Sequence, residues 1–431
     1  MIRTLYSWAM RAAQPLLRRK LLRRGRAEPG YLEAIDERFG DYRQPAQPGA
    51  LWIHAVSLGE TRAAAVLIDA LRRRDPGLRV LLTHGTATGR ADGRLLLRPG
   101  DAQTWLPWDT PEVVERFLAH FRPSAGVLVE TEIWPNLVAA CVRHRVPLVL
   151  ANARLSEKSL RTARRLSSLA RPAYGALAAV WAQTEADAQR LRAAGATVSA
   201  VLGNLKFDAH PDQRQLALGR AWRAALGRPV VMLASAREGE EAAFLDVLVA
   251  DRERRRSGQG RRATDAMADD VQWLLVPRHP QRFAEVAALA ERSGFSVSRR
   301  SEWGDAPGPA QVWIGDSLGE MPLYYSLADV ALLGGSFEPL GGQNLIEAAA
   351  CGCPLVMGPH TFNFAEAAAA ADGCGAAVRV RTLADGVRES LALVSDAPRR
   401  QAMVVAAAGF AGAYRGAADR CAQALLALAA R

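Results

Sequence analysis

From Leu51 onward the chain repeats one pattern: a short apolar run, a turn of small or polar residues, then a stretch with helical periodicity. The runs are Leu51 to Val56, Val80 to Thr83, Gly126 to Val129, Pro147 to Leu150 and Ala179 to Ala182. After Gly203-Asn-Leu-Lys-Phe-Asp208 and a polar link they resume at Val230 to Ala234, Trp273 to Val276, Val312 to Ile314, Val330 to Leu333 and Pro354 to Met357. Apolar runs without alternation are what parallel strands buried on both faces require. The first leads into a predicted helix over Thr61 to Arg74 with Ala64, Leu67, Ile68 and Leu71 on one face. Two successive βα series predict an α/β protein of two Rossmann-like domains facing one another across a cleft. With 431 residues, 49% of them hydrophobic, the chain can bury two cores. The expected boundaries are an N-terminal helix over 1–30, a first domain over 31–208, and a second over 209–431 whose alanine-rich end, Met403 to Arg431, supplies closing helices.

The N-terminal segment is amphipathic. Ile2, Leu5, Trp8, Ala9, Ala12 and Leu16 recur at helical spacing, and Arg18, Arg19, Lys20, Arg23, Arg24 and Arg26 follow. Clustered cations beside an apolar stripe predict a helix lying on an anionic membrane surface; a helix packed on its own domain with a solvated basic end is the alternative. No run reaches the roughly 18 apolar residues of a membrane span, and no signal peptide is expected. A balance of 55 Lys+Arg against 44 Asp+Glu leaves +11 and points to an anionic partner. The five cysteines, with Cys351 and Cys353 the close pair, form neither a disulfide framework nor a four-ligand zinc pattern, so a reducing compartment is expected. Asp251 to Arg262 and its polar continuation lack an apolar period and are expected to form a solvated, mobile insertion.

Several motifs sit where strands hand over to helices. Ser57-Leu-Gly-Glu60 and Ser317-Leu-Gly-Glu320 share one tetrapeptide, Ser235-Ala-Arg-Glu238 has the same outline, and all three fit a capping box. Glu60 also stands at the carboxyl end of the first strand, the edge at which open α/β sheets bind ligands, where a carboxylate can take a proton from a hydroxyl. Glu130-Thr-Glu-Ile-Trp-Pro-Asn136 leaves its strand with two acids expected on opposite sides, Glu130 toward Glu60. Lys206 is a candidate for facing developing negative charge. Pro277-Arg278-His279-Pro280 puts an arginine fork at a strand end, suited to a phosphate. Gly334-Gly-Ser-Phe-Glu-Pro-Leu-Gly-Gly-Gln-Asn344 bends through two glycine pairs and opens a helix at Leu345, an expected anion seat, with Asn344 and Glu347 placed to cap it. Glu347 is equally placed to accept ribose hydroxyls. No metal-binding motif is present in the sequence, so no metal is called for.

Together with Asn152-Ala-Arg-Leu-Ser156, Gly315-Asp316 and Met357-Gly-Pro-His-Thr-Phe-Asn-Phe364, these motifs closely resemble the 3-deoxy-D-manno-octulosonic acid (Kdo) transferases of lipopolysaccharide assembly, in order, from about Tyr31 to beyond Phe364. The resemblance implies an inverting glycosyltransferase of the GT-B fold at the cytoplasmic face of the inner membrane. A lipid A precursor (lipid IVA) would be held by the first domain and CMP-Kdo by the second, without a cofactor or metal. Glu60 would be the general base, Glu130 and Lys206 would stabilise the transition state, and Pro277, Arg278, Leu318, Gly319, Glu320, Met321, Asn344, Leu345, Ile346 and Glu347 would hold CMP. Nucleic acid is not an expected partner. The chain departs from the family pattern in a more basic, less continuously apolar N-terminus, which favours peripheral attachment, in Arg237 where a histidine or small polar residue is expected, and in the arginine-rich insertion near Arg254. Two other readings stand beside this one: a GT-B relative using another sugar nucleotide, such as an epimerase, and a non-catalytic polyanion-binding module.

Overall fold

The buried runs form two parallel sheets. A computed structural model describes residues 2–208, 210–258 and 270–429, and the chain divides into two compact units: Met1–Ala209 with Tyr414–Arg431, and His210–Ala413. In the first unit the strands are β1 (Leu51–His54), β2 (Val80–His84), β3 (Ala102–Trp105), β4 (Ala125–Val129), β5 (Leu148–Ala153), β6 (Ala179–Ala182) and β7 (Val198–Val201), in the order β3-β2-β1-β4-β5-β6-β7. In the second they are β8 (Val230–Ala236), β9 (Gln272–Pro277), β10 (Val297–Arg299), β11 (Val312–Ile314), β12 (Val330–Leu333), β13 (Leu355–Met357) and β14 (Ala377–Arg379), in the order β10-β11-β9-β8-β12-β13-β14. Each order reverses once, between β1 and β4 and between β8 and β12. These reversals are the switch points at which loops diverge and leave a crevice at the carboxyl edge.

The period of two along a strand divides each core into layers. From β1, Leu51 and Ile53 join one cluster with Leu67 and Leu71 of the helix Leu58–Arg74, while Trp52 enters the opposite cluster with Phe117 and Leu128. Covering both faces accounts for the lack of alternation in the sequence.

The chain's end departs from expectation. The helix Ala417–Ala429 packs Ala418, Cys421, Ala422 and Leu425 into the core of the first unit beside Leu67. Asp208 accepts the backbone N–H groups of Gly416 and Ala418 and ties the crossing chain down. The helix Ala397–Ala413, in contrast, closes the second unit. Alanine-rich amphipathic helices carry no local mark of which core they cover.

Asp251 to Arg256 is the last part of the helix Glu240–Arg256 and not the expected solvated insertion. Arg252 lies over the ring of Phe295 at 4.7 Å and donates to the Gly294 carbonyl at 3.1 Å. The rest of that expectation, with Arg261 and Arg262, lies outside the described residues.

At the other end, Ile2–Gly25 is one helix. Its inner face is held by Tyr6 Oη donating to Asp109 at 2.9 Å, by Ser7 Oγ donating to Asn136 Oδ1 at 3.0 Å, and by an Arg11–Glu112 ion pair. Its outer face leaves Ile2, Leu5, Trp8, Leu16 and Leu22 exposed. No described helix is long and apolar enough to cross a membrane.

Candidate active site

At the first switch point the chain leaves β1 at His54 and enters a helix capped by Ser57, whose Oγ accepts the Glu60 N–H at 3.4 Å. The Glu60 carboxylate turns back to accept the Val56 N–H at 2.7 Å and the Ser57 hydroxyl at 3.4 Å. The capping role is therefore real, and it aims the carboxylate at the strand end. Burial raises the proton affinity of Glu60, the Val56 N–H opposes that shift, and the charge of Glu130 adds to it. The acid is thereby pushed toward the range of an effective base.

Glu130, just past β4, is buried and holds left-handed backbone at φ 72°. Its N–H donates to the Ala151 carbonyl and its carbonyl accepts the Arg154 N–H, so β5 fixes this unfavourable geometry. Its carboxylate meets Lys206 Nζ at 2.6 Å. Lys206 is placed by a relay of amides. Asn152, also left-handed at φ 53°, accepts the Leu205 N–H at 3.0 Å, Gln183 binds both the Asn152 carbonyl and Asn204, and Asn204 Oδ1 accepts the Lys206 N–H at 3.0 Å. This relay ties the Asn152-Ala-Arg and Gly203-Asn-Leu-Lys segments to one another.

Glu132 corrects one expectation. The two acids do not diverge, because the left-handed Glu130 ends the strand alternation, and the charges of both act on Glu60. Glu132 accepts Trp134 Nε1 at 2.8 Å and lies 3.6 Å from Nε2 of the fully buried His54. Burial alone would raise its pKa, but the His54 contact and the Trp134 hydrogen bond outweigh that and keep it below the usual range. Sequence reasoning missed His54; its signal was a polar residue closing the otherwise apolar run of β1.

In the second unit the candidate nucleotide residues gather at one sheet edge. Pro277 and Arg278 lie at the end of β9, Leu318 to Met321 follow β11, and Asn344 to Glu347 follow β12. Arg278 and Leu318 are exposed, whereas Pro277, Leu345 and Ile346 are buried and offer a ligand only backbone. Gly319 adopts φ 78° and its carbonyl accepts Gln215 Nε2 at 3.0 Å. Glu320 pairs with Arg300 at 2.8 Å, and Met321 Sδ accepts Ser235 Oγ at 3.8 Å. Asn344 caps as expected, accepting the Ile346 N–H at 3.2 Å, but the helix it opens, Leu345–Ala350, is a short one.

The front of the glycine loop is organised around an internal acid. The buried carboxylate of Glu240 accepts the N–H groups of Arg237 at 2.9 Å, Gly335 at 2.6 Å and Phe337 at 3.3 Å. Donors at Gly335 and Phe337 are thus occupied within the protein, and the loop is shaped by an internal acid. The helix starts also differ from the capping boxes expected there. Gly239 precedes the helix Glu240–Arg256 and Glu320 precedes Met321–Leu327, neither with a side-chain cap, while Ser317 hydrogen-bonds the Glu320 carboxylate.

The chain is similar to known proteins in sequence and in fold. Residues 33–209 match the family model described as 3-deoxy-D-manno-octulosonic-acid transferase (kdotransferase). A 3-deoxy-D-manno-octulosonic acid transferase from Bordetella pertussis is 46% identical, with 98% of this chain and 98% of that protein covered. The protein of the same name from Haemophilus influenzae is 32% identical over 78% of each chain. Among solved structures, Anabaena HepE in complex with UDP superposes with a TM-score of 0.57 at 13% identity, covering 88% of this chain and 99% of that one. At that identity the likeness speaks for the GT-B fold.

Proposed function

The chain belongs to the 3-deoxy-D-manno-octulosonic acid transferase family, and on that premise we propose that it transfers Kdo from CMP-Kdo to a sugar hydroxyl of a lipid A precursor with inversion. Glu60 takes the proton of the acceptor hydroxyl. The oxygen attacks the anomeric carbon as the bond to the phosphate oxygen breaks, and the electron pair leaves with CMP. Glu130, held by Lys206, faces the positive charge building on the sugar ring, and Lys206 faces developing negative charge. Arg278 and the backbone at Leu345 to Glu347 receive the phosphate, while Asn344 and Glu347 offer polar groups to the ribose. A nucleoside monophosphate leaves with less charge than a nucleoside diphosphate would, and an arginine and a helix terminus are suited to stabilise it.

The observation that carries this reading is the convergence of Glu60, Glu130 and Lys206 at the switch point of the first sheet, with Glu60 made more basic by burial and by Glu130. The acceptor's lipid portion fits the N-terminal helix, whose exposed apolar face continues into exposed Arg19, Lys20 and Arg23. Such a face seats peripherally on an anionic leaflet. All five cysteines are free, in keeping with the cytoplasmic face of the inner membrane.

Incubating the protein with CMP-Kdo and a tetraacylated lipid A precursor, followed by mass analysis of the lipid, tests the proposal. Addition of Kdo is expected. A lipid left unmodified by CMP-Kdo but altered with another sugar nucleotide would reassign the donor.

A further inference from the structure

Two arginines stand side by side at the carboxyl edge of the second sheet. The register of β8 against β9 slips between Leu233 and Ala236, which brings Ala236 opposite Pro277. Ser235 absorbs the slip in left-handed backbone, φ 54°. The residues that follow, Arg237 and Arg278, therefore leave neighbouring strand ends together, with the Arg278 N–H donating to the Ala236 carbonyl at 2.9 Å. Glu240 fixes the backbone of Arg237 from the other side.

Among the described residues, neither guanidinium has a hydrogen-bond or ion-pair partner. The acids nearby are committed elsewhere: Glu240 to three backbone N–H groups, and Glu238 toward Arg282 at 3.8 Å. The neighbouring His279 is harder to protonate than usual, through partial burial and through the charges of Arg237 and Arg278. Two like charges held together, Arg237 half-buried, gain most from an anionic ligand. A single guanidinium fork suits one carboxylate or phosphate group, so adjacent forks suit a ligand with two anions close together. In a CMP-linked 2-keto sugar acid the phosphodiester and the carboxylate hang from the same anomeric carbon, a spacing comparable to the roughly 4.8 Å between neighbouring strands.

We infer that Arg237 and Arg278 divide the two anions of the donor, Arg278 taking the phosphate and Arg237 the sugar carboxylate, which makes Arg237 the residue that selects an acidic sugar. This rests on the CMP-Kdo reading and deepens it.

Steady-state kinetics on the full-length protein, with CMP-Kdo as donor and CMP as competing inhibitor, separate the two roles. Arg237→Ala raises the donor KM about 10- to 100-fold, the loss of one charge-assisted fork, while the Ki of CMP moves less than about twofold. Arg278→Ala raises both, and Arg237→Lys, which keeps charge without the fork, recovers part of the donor KM. Equal weakening of donor and CMP by Arg237→Ala would assign Arg237 to the phosphate, and an unchanged donor KM would leave it a solvent-facing cation; either result overturns the assignment. If Arg237→Ala lowers the melting temperature, the longer, uncharged Arg237→Gln decides by the same two readouts. Wild-type protein that shows neither CMP-Kdo-dependent transfer nor CMP inhibition would instead remove the underlying reading, a result distinguishable from any behaviour of the variants.

Discussion

Glu60 caps a helix and is the base we propose, and the two roles can be separated. Its carboxylate stabilises a helix start through Val56 and Ser57, yet its raised proton affinity makes it destabilising where it is charged. A folded pKa above the unfolded one means the native state binds the proton more tightly, so stability falls as pH rises through that window. Glu60→Gln keeps an oxygen for the Val56 N–H and removes the buried charge. It is expected to melt no lower than the wild type at neutral pH and to retain CMP binding while losing transfer; near-normal turnover would reduce Glu60 to a cap. For the same reason kcat/KM in the wild type falls on acidification at a higher pH than an ordinary carboxylate would impose, as a pH–rate profile can record. The Glu130–Lys206 pair behaves differently. Lys206→Met leaves a buried acid unpaired and costs about 1–3 kcal/mol, discounted because Lys206 is partly exposed. Denaturant melts of the double variant Glu130→Gln/Lys206→Met are expected to recover most of that loss without restoring activity.

At the scale of elements, legibility followed burial. The central strands β1, β4, β8, β9 and β12 are buried along their length and were readable as apolar runs. The edge strands β3, β7, β10 and β14 were missed, since an edge strand is covered on fewer sides and β7 and β10 hold no fully buried residue. The N-terminal helix was legible in its spacing but not in its partner, and it turned out to pack on its own unit while keeping its apolar stripe outside. Replacing Leu5, Trp8 and Leu16 with glutamate therefore leaves the melting temperature nearly unchanged. The same changes remove binding to vesicles containing anionic phospholipid, measured by co-sedimentation, because each apolar side chain contributes about 1.5–3 kcal/mol when buried in lipid. Retained vesicle binding would move the membrane contact elsewhere.

For the whole molecule, the consequential finding is that the chain's last helix belongs to its first unit. Truncation after Ala413 strips Ala418, Cys421, Ala422 and Leu425 from the core that holds Leu67 and leaves Asp208 without the two N–H groups it accepts. Large-to-small losses of this kind cost several kcal/mol. The expected result is greater exchange of backbone hydrogens in the helix Leu58–Arg74, which carries Glu60, with β8, β9 and β12 of the second unit unaffected. Changed protection in the second unit alone would contradict the assignment of the tail.

What the sequence determined by itself was local: where apolar runs must be buried on both faces, and which short polar motifs stand at the ends of strands. Two parallel α/β units followed from that, whereas Glu60, Glu130 and Lys206 as a set came from the resemblance of the motifs to the Kdo transferase family. Tertiary structure alone decided what each group meets. It put both acids of Glu130-Thr-Glu132 on the side of Glu60 and gave the glycine-loop donors to Glu240. It also set Arg237 beside Arg278 through a one-residue slip between β8 and β9 and sent the alanine-rich tail back to the first core. Each of these depends on a partner distant in the chain, through a pairing register, a left-handed residue, a buried acid or a shared core, and periodicity along the chain carries no record of such partners.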